Sequence, residues 1–122
     1  MSRFDLSGEI AVVIGGTGVL GGHIAVGFGE SGAQVVVMGR REDAGAERVA
    51  EIEAVGGTAT YIHCDALDPE SVAKAHAETR DRVGDVTVLL NAAGGNSAGV
   101  TVTEEQPFEA IDIDAWHDNF AL

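Results

Sequence analysis

The segment that most constrains the fold is a short apolar run, Ile10–Ile14, which stops at a cluster of glycines. The run has the length of a buried β-strand, and the residues from Val19 onward have the spacing of a helix. A strand, a tight glycine turn and a helix form a βα unit of the kind whose turn binds phosphate groups. Two overlapping frames fit such a turn: Gly16, Gly18 and Gly21 (G-x-G-x-x-G), and Gly15, Gly18 and Gly21 (G-x-x-G-x-x-G).

Glycine suits this turn for two reasons. Its backbone adopts φ values that a Cβ penalises, and it lets the chain approach a pyrophosphate over the helix N-terminus, where unpaired N–H groups and the helix dipole attract anions. Thr17, Val19 and Leu20 lie in the same turn and are candidate contacts. A glycine-rich turn without a ligand is the alternative, and the rest of the chain decides between the two.

Strand and helix patterns alternate along the chain. Apolar and β-branched runs predict strands over 10–14, 34–38, 58–63 and 86–91. Helices are predicted over 19–31, over 42–55, from Asp68-Pro69 to about 84, and from Asp112 or Asp114 onward, with Asp68 as the cap of the third. Such alternation is typical of an α/β fold with parallel strands and right-handed crossovers. We expect residues 1–122 to form part of one doubly wound domain with strand order 3-2-1-4.

The predicted helices carry apolar faces at helical spacing, which we expect to pack on the sheet. These faces are Leu20, Ile24 and Phe28; Ala46, Val49 and Ile52; and Val72, Ala75, Thr79 and Val83. In this topology, the turns Gly15–Gly18 and Asn91–Gly94 meet at the carboxyl ends of strands one and four, where ligands bind. Two independent glycine-bearing turns at one edge favour a ligand site over a purely structural turn.

Charge narrows the possible functions. Twenty acidic residues face seven basic ones, for a net charge of −13, which argues against nucleic-acid binding because phosphate backbones need a basic patch. No apolar run reaches membrane-spanning length, and the single cysteine, Cys64, can form no internal disulfide. A cytoplasmic location is therefore expected.

The acid-rich surface predicts a halophilic source; an ordinary acidic protein from a GC-rich genome, stable without added salt, is the alternative. No metal is expected, because the histidines lack ligand spacing: His23, His63, His76 and His117.

Three segments, in their order and spacing, resemble the N-terminal half of the short-chain dehydrogenase/reductase family. They are the glycine turn, Cys64-Asp65-Ala66-Leu67-Asp68, and Leu89-Leu90-Asn91-Ala92-Ala93-Gly94. The resemblance covers essentially the whole chain. It implies a Rossmann fold, a nicotinamide cofactor, hydride transfer to or from a small carbonyl or alcohol substrate, and a homo-oligomer when the enzyme is full length.

The resemblance also implies roles for single residues. Asp65, with Ala66 beside it, would accept a hydrogen bond from the adenine amino group. Asn91 would tie neighbouring strands together, and Ala92, Ala93 and Gly94 would let the backbone pass close to the adenosine ribose. Ala92 departs from the asparagine that the family has there, but its small size suits the position.

The end of the second strand indicates which cofactor binds. An acid there would bind the ribose 2′-hydroxyl of NAD, whereas a nearby arginine accommodates the 2′-phosphate of NADP. Gly39 stands at the acid position and is followed by Arg40 and Arg41, whose planar guanidinium groups suit phosphate. NADP is therefore expected. NAD is the alternative, in which Arg41 is a surface charge and Glu42 or Asp43 binds the ribose.

The glycine turn departs from the family's commonest form, with Val19 in place of a glycine and Ile14 in place of a threonine. Its spacing resembles the extended branch of the family, while the later motifs resemble the shorter branch. The loop over 95–113 is long, and we expect it to shape the substrate pocket. Together with Gly-Val-Leu-Gly and Asn-Ala-Ala-Gly-Gly-Asn, this long loop resembles that of sugar-acid oxidoreductases of the mannonate or fructuronate type.

The family's catalytic Tyr-x-x-x-Lys is absent, and Tyr61, the one tyrosine, lies in a predicted strand. We therefore expect no catalytic residue in this chain, which would be the cofactor-binding part of a longer enzyme, inactive and prone to self-association when alone. A non-catalytic dinucleotide-binding module is the alternative.

Overall fold

The computed structural model describes residues 3–94 and 97–120. It contains the strands β1 (Ile10–Ile14), β2 (Gln34–Gly39), β3 (Thr58–His63) and β4 (Val88–Asn91). The helices are α1 (Val19–Glu30), α2 (Glu42–Ala54), α3 (Pro69–Arg82) and α4 (Ile113–Phe120), and two short 3-10 turns, Ala98–Val100 and Phe108–Ala110, precede α4. The strands pair in parallel in the order β3-β2-β1-β4, which confirms the predicted fold class.

The sheet has a separate apolar cluster on each face. One cluster packs Ala25 of α1 and Ile52 of α2 against alternate residues of β1 and β2. The other packs Ala75 of α3 against the intervening strand residues and Ile62 of β3. Helices therefore lie on both faces, and the two central strands, β1 and β2, are buried between them, as expected of parallel strands.

The predicted inner face of α1 is partly wrong. Leu20 is 71% exposed, and the buried residues of α1 are small: Gly21, Gly22, Ala25 and Gly29. Small side chains let α1 lie close to its neighbours; a Cβ on Gly29 would overlap Ile52 of α2. Hydropathy periodicity misses this face because glycine carries no apolar side chain.

The inner face of α2 also differs from the prediction at one position. Ala46 is exposed, whereas its neighbour Gly45 is buried against the ring of Tyr61. Ile52 is fully buried, as predicted.

The boundaries of α3 and β4 follow from side-chain hydrogen bonds. Asp68 caps α3 as predicted, with its Oδ1 accepting from the Glu70 N–H at 3.0 Å. The strand β4 begins later than predicted, because the Thr87 hydroxyl accepts the Ile10 N–H at 2.9 Å in place of a backbone carbonyl. Among the described residues β4 pairs only with β1, and Leu89 at this edge is 63% exposed.

Candidate functional site: a cleft at the carboxyl edge of the sheet

A cleft of about 320 Å³ lies where the carboxyl ends of all four strands meet. Each strand end contributes residues that the sequence singles out. They are Gly15, Thr17 and Gly18 after β1; Arg40 after β2; Asp65 and Ala66 after β3; and Ala92, Ala93 and Gly94 after β4. Gly39, Ile14, Cys64 and Leu67 also line it. The structure thus brings together most of the predicted binding residues.

The turn after β1 packs directly on the turn after β4. Gly15 has a φ of +84°, and a Cβ there would lie 2.7 Å from the Ala92 carbonyl carbon. A Cβ on Gly21 would overlap the Gly15 carbonyl oxygen and lie 3.0 Å from the Ala92 Cβ. Gly21 is therefore required for packing behind the cleft, and Ala92 is small because Gly21 faces it.

The first turn of α1 presents free donors beside the cleft. Its N-cap is Gly18, which has no side chain to cap the helix. The N–H groups of Val19 and Leu20 have no hydrogen-bond partner within the described parts of the chain. Both side chains are exposed, at 79% and 71%. Backbone donors at a helix N-terminus bind anions.

The two arginines after β2 differ in their surroundings. Arg41 is the N-cap of α2, and its Nη2 lies 3.0 Å from Asp43 Oδ2. This hydrogen bond raises the pKa of Arg41 and lowers the pKa of Asp43. Arg40 lines the cleft and forms no ion pair with any residue in 3–94 or 97–120. Arg40 is therefore the cation available to a ligand in the cleft.

Gly39 leaves room for Thr17. A Cβ at Gly39 would lie 2.6 Å from Thr17 Oγ1 and 2.7 Å from its Cγ2. An acidic side chain at this position would therefore require Thr17 to move. The carbonyl of Gly39 accepts from the Tyr61 hydroxyl at 2.7 Å. Burial, assisted by Glu42 and Asp43, raises the pKa of Tyr61, which acts here as a strut between β2 and β3.

Asp65 is fixed by hydrogen bonds to nearby residues of the chain. Its N–H donates to Ser71 Oγ at 2.8 Å, and its Oδ1 accepts from the Leu67 N–H at 3.0 Å. The other carboxylate oxygen, Oδ2, has no protein partner in the described segments, so it remains available to a donor in the cleft. Cys64, beside it, is only 3% exposed, and burial first, then Asp65, raises the pKa of its thiol.

Asn91 lies at the end of β4 and does not line the cleft. Its Oδ1 accepts from the Ala93 N–H at 3.2 Å, which is a bond within its own turn. The link to β1 is made instead by the backbone, with the Ala92 N–H donating to the Ile14 carbonyl at 2.7 Å.

Side-chain amides stabilise the long loop before α4 through hydrogen bonds. Gln106 Nε2 lies 3.0–3.2 Å from the carbonyls of Ala98, Gly99 and Thr101. The Ser97 N–H donates to Asn119 Oδ1 at 2.8 Å, which ties the loop to α4. Gly95 and Asn96, where the predicted loop starts, lie outside the described residues.

Within residues 3–94 and 97–120, no cluster of three or more His, Cys, Asp and Glu side chains is arranged to hold a metal ion. No helix in the same ranges has the length and apolar character needed to span a membrane.

Comparisons with known proteins agree with this geometry. The chain is 36% identical over 115 residues to a 3beta-hydroxysteroid dehydrogenase of Mediterraneibacter gnavus, covering 92% of this chain and 41% of that protein. It is 39% identical over 105 residues to an NADP-dependent (R)-specific alcohol dehydrogenase of Lentilactobacillus kefiri, covering 82% and 40%.

A solved 7 alpha-hydroxysteroid dehydrogenase, complexed with NADH and 7-oxo glycochenodeoxycholic acid, superposes with a TM-score of 0.82 at 28% identity, covering 98% of this chain and 44% of that one. The chain thus spans less than half the length of these relatives. The family model for the short chain dehydrogenases matches residues 9–122. The chain belongs to the short chain dehydrogenase family.

Proposed function

We propose that this chain supplies the dinucleotide-binding site of an NAD(P)-dependent oxidoreductase that transfers a hydride between nicotinamide and a carbonyl or alcohol carbon. The observation that carries the proposal is one cleft at the carboxyl edge of the sheet, which collects a turn from each strand. The family membership and the relatives' names support it.

The residues of the cleft suit the parts of a dinucleotide. The free N–H groups of Val19 and Leu20 would bind the pyrophosphate at the start of α1. Asp65 Oδ2 would accept from the adenine amino group, and the turn Ala92–Gly94 would lie along the adenosine ribose. The nicotinamide supplies the hydride chemistry when bound; these residues bind and orient it.

We propose NADP as the preferred cofactor. Arg40 is the cleft's unpaired cation, and Thr17 occupies the space that an acidic side chain at position 39 would need. Among the relatives, one is named as NADP-dependent and another was solved with NADH. Arg40, rather than the Asp43-paired Arg41, would bind the 2′-phosphate.

The substrate would be a small carbonyl or alcohol compound, and the loop fastened by Gln106 would form one side of its pocket. A second candidate function is dinucleotide binding without chemistry. The observation in its favour is that the one tyrosine, Tyr61, does not line the cleft and donates its hydroxyl to the Gly39 carbonyl.

The test is a titration of the chain with NADPH and NADH, followed by nicotinamide fluorescence. We expect NADPH to bind more tightly. Arg40→Gln should lose about tenfold in NADPH affinity, the value of one charge-assisted hydrogen bond, and change NADH affinity little. Arg41→Gln is the matched control and should change both little. Equal losses in the two variants would contradict the assignment to Arg40, and the absence of binding to either dinucleotide would contradict the proposed function.

A further inference from the structure

Arg48 of α2 reaches across to the glycine turn. Its Nη2 donates to the Gly18 carbonyl at 3.3 Å, and its Nη1 lies 2.7 Å from Glu51 Oε2. The side chain is only 15% exposed, whereas the Arg80 and Arg82 side chains are at least half exposed. Its Nε is buried with no hydrogen-bond partner among the described residues.

Gly22 in α1 leaves the space that the Arg48 guanidinium occupies. A Cβ on Gly22 would overlap the Arg48 Cζ, Nη2 and Nε atoms. The guanidinium therefore occupies the space beside the Gly22 backbone, one turn from the helix N-cap. Burying an incompletely bonded cation costs stability, and an apolar side chain of similar size would pack there without that cost. Stability alone does not explain an arginine at this position.

The contact to Gly18 has a direct consequence for the cleft. The Gly18 carbonyl accepts from Gly22 N–H at 2.9 Å as well as from Arg48. Because the C=O and N–H of a trans peptide point in opposite directions, a fixed Gly18 carbonyl fixes the outward direction of the Val19 N–H. That N–H is one of the free donors beside the cleft.

We infer that Arg48 is a positioning residue for the pyrophosphate of the bound dinucleotide. It holds the Gly18–Val19 peptide in its anion-binding orientation and places a partly desolvated positive charge behind the turn. The inference rests on the proposed function. Since the pyrophosphate is common to both cofactors, Arg48 acts on NADPH and NADH alike, unlike Arg40.

The test compares three variants of the full chain, each titrated with NADPH and with NADH. Arg48→Met keeps a flexible apolar stem but removes the guanidinium and its charge, and it should lower the affinity for both dinucleotides about tenfold. Glu51→Gln removes the negative charge that partly neutralises Arg48, and it should tighten both about twofold to threefold. Arg80→Met removes one cation from the exposed Arg80–Asp85 pair and should leave both affinities unchanged.

Unfolding midpoints of the same variants separate positioning from simple packing. A purely structural Arg48 would make Arg48→Met and Glu51→Gln shift affinity in the same direction, following their stability. That result, or an Arg48→Met variant that binds both dinucleotides within twofold of wild type, overturns the inference while leaving the proposed function intact. A wild-type chain that binds neither dinucleotide overturns both.

Discussion

Replacing Gly15 with alanine should lower the free energy of unfolding by more than backbone strain alone, because the turn after β1 packs directly on the turn after β4. Gly15 and Gly56 share nearly the same left-handed φ, +84° and +85°. Their surroundings differ: a Cβ at Gly15 would lie 2.7 Å from the Ala92–Ala93 peptide, whereas a Cβ at Gly56 would have nothing within 4 Å. Gly56→Ala is therefore a matched control, because it introduces the same left-handed backbone strain without the steric overlap.

The expected magnitudes follow from these two terms. An alanine in the left-handed region costs about 1–2 kcal/mol, which applies to both variants. Overpacking against backbone adds about 1–3 kcal/mol at Gly15, since the Ala92–Ala93 peptide cannot rotate away as a side chain can. We expect Gly15→Ala to lower the free energy of unfolding by about 2–5 kcal/mol and Gly56→Ala by about 1–2 kcal/mol.

Urea unfolding followed by circular dichroism measures this difference. With a slope of about 1–3 kcal/mol per molar urea, the midpoints of the two variants should differ by about 1 M. Gly15→Ala should also lose dinucleotide binding, which Gly56→Ala should retain. Equal destabilisation of the two variants would show that the close approach of the β1 and β4 turns is not what requires glycine here.

Three further results are expected. Gly22→Ala should destabilise the wild-type chain but cost much less in an Arg48→Ala background, where the guanidinium that the new Cβ meets is gone; additive costs in a double-mutant cycle would refute this contact. Because burial raises the pKa of Cys64 and favours the neutral thiol, iodoacetamide should alkylate the folded chain slowly at pH 8 and faster as the pH rises; NADPH should slow the reaction further, and a rate equal to that of the urea-unfolded chain would contradict this. Asp68→Ala should lower the free energy of unfolding by about 1 kcal/mol through loss of the bond to the Glu70 N–H, and Asp68→Asn should restore most of it.

The strands and helices could be predicted from the sequence because they depend on local signals, and the strand order and the position of the cleft then followed from the doubly wound topology. The run Ile10–Ile14 and the glycines after it define one strand end, and Asn91–Gly94 defines another. In a parallel sheet such ends share one edge. The prediction needed no side-chain contacts, and the Asp68 cap is equally local.

Contacts between distant side chains could not be predicted in this way. Leu20 has the right spacing for a core residue, yet α1 packs through glycines and exposes it. Arg48 looks like a surface charge on an acidic helix, and only the tertiary structure shows that it reaches Gly18. The different surroundings of Arg40 and Arg41 likewise depend on where α2 begins, because its N-cap residue is the one that pairs with Asp43.

Binding of a nicotinamide dinucleotide in the strand-end cleft can be mapped by following the backbone amide shifts of the isotopically labelled chain during titration with NADPH. We expect the largest changes at Gly15–Leu20, Asp65–Ala66 and Ala92–Gly94, with smaller ones at Arg40. Saturating NADPH that shifts none of these amides, or shifts only residues elsewhere, such as those around Arg80 and Asp85, would contradict binding in this cleft.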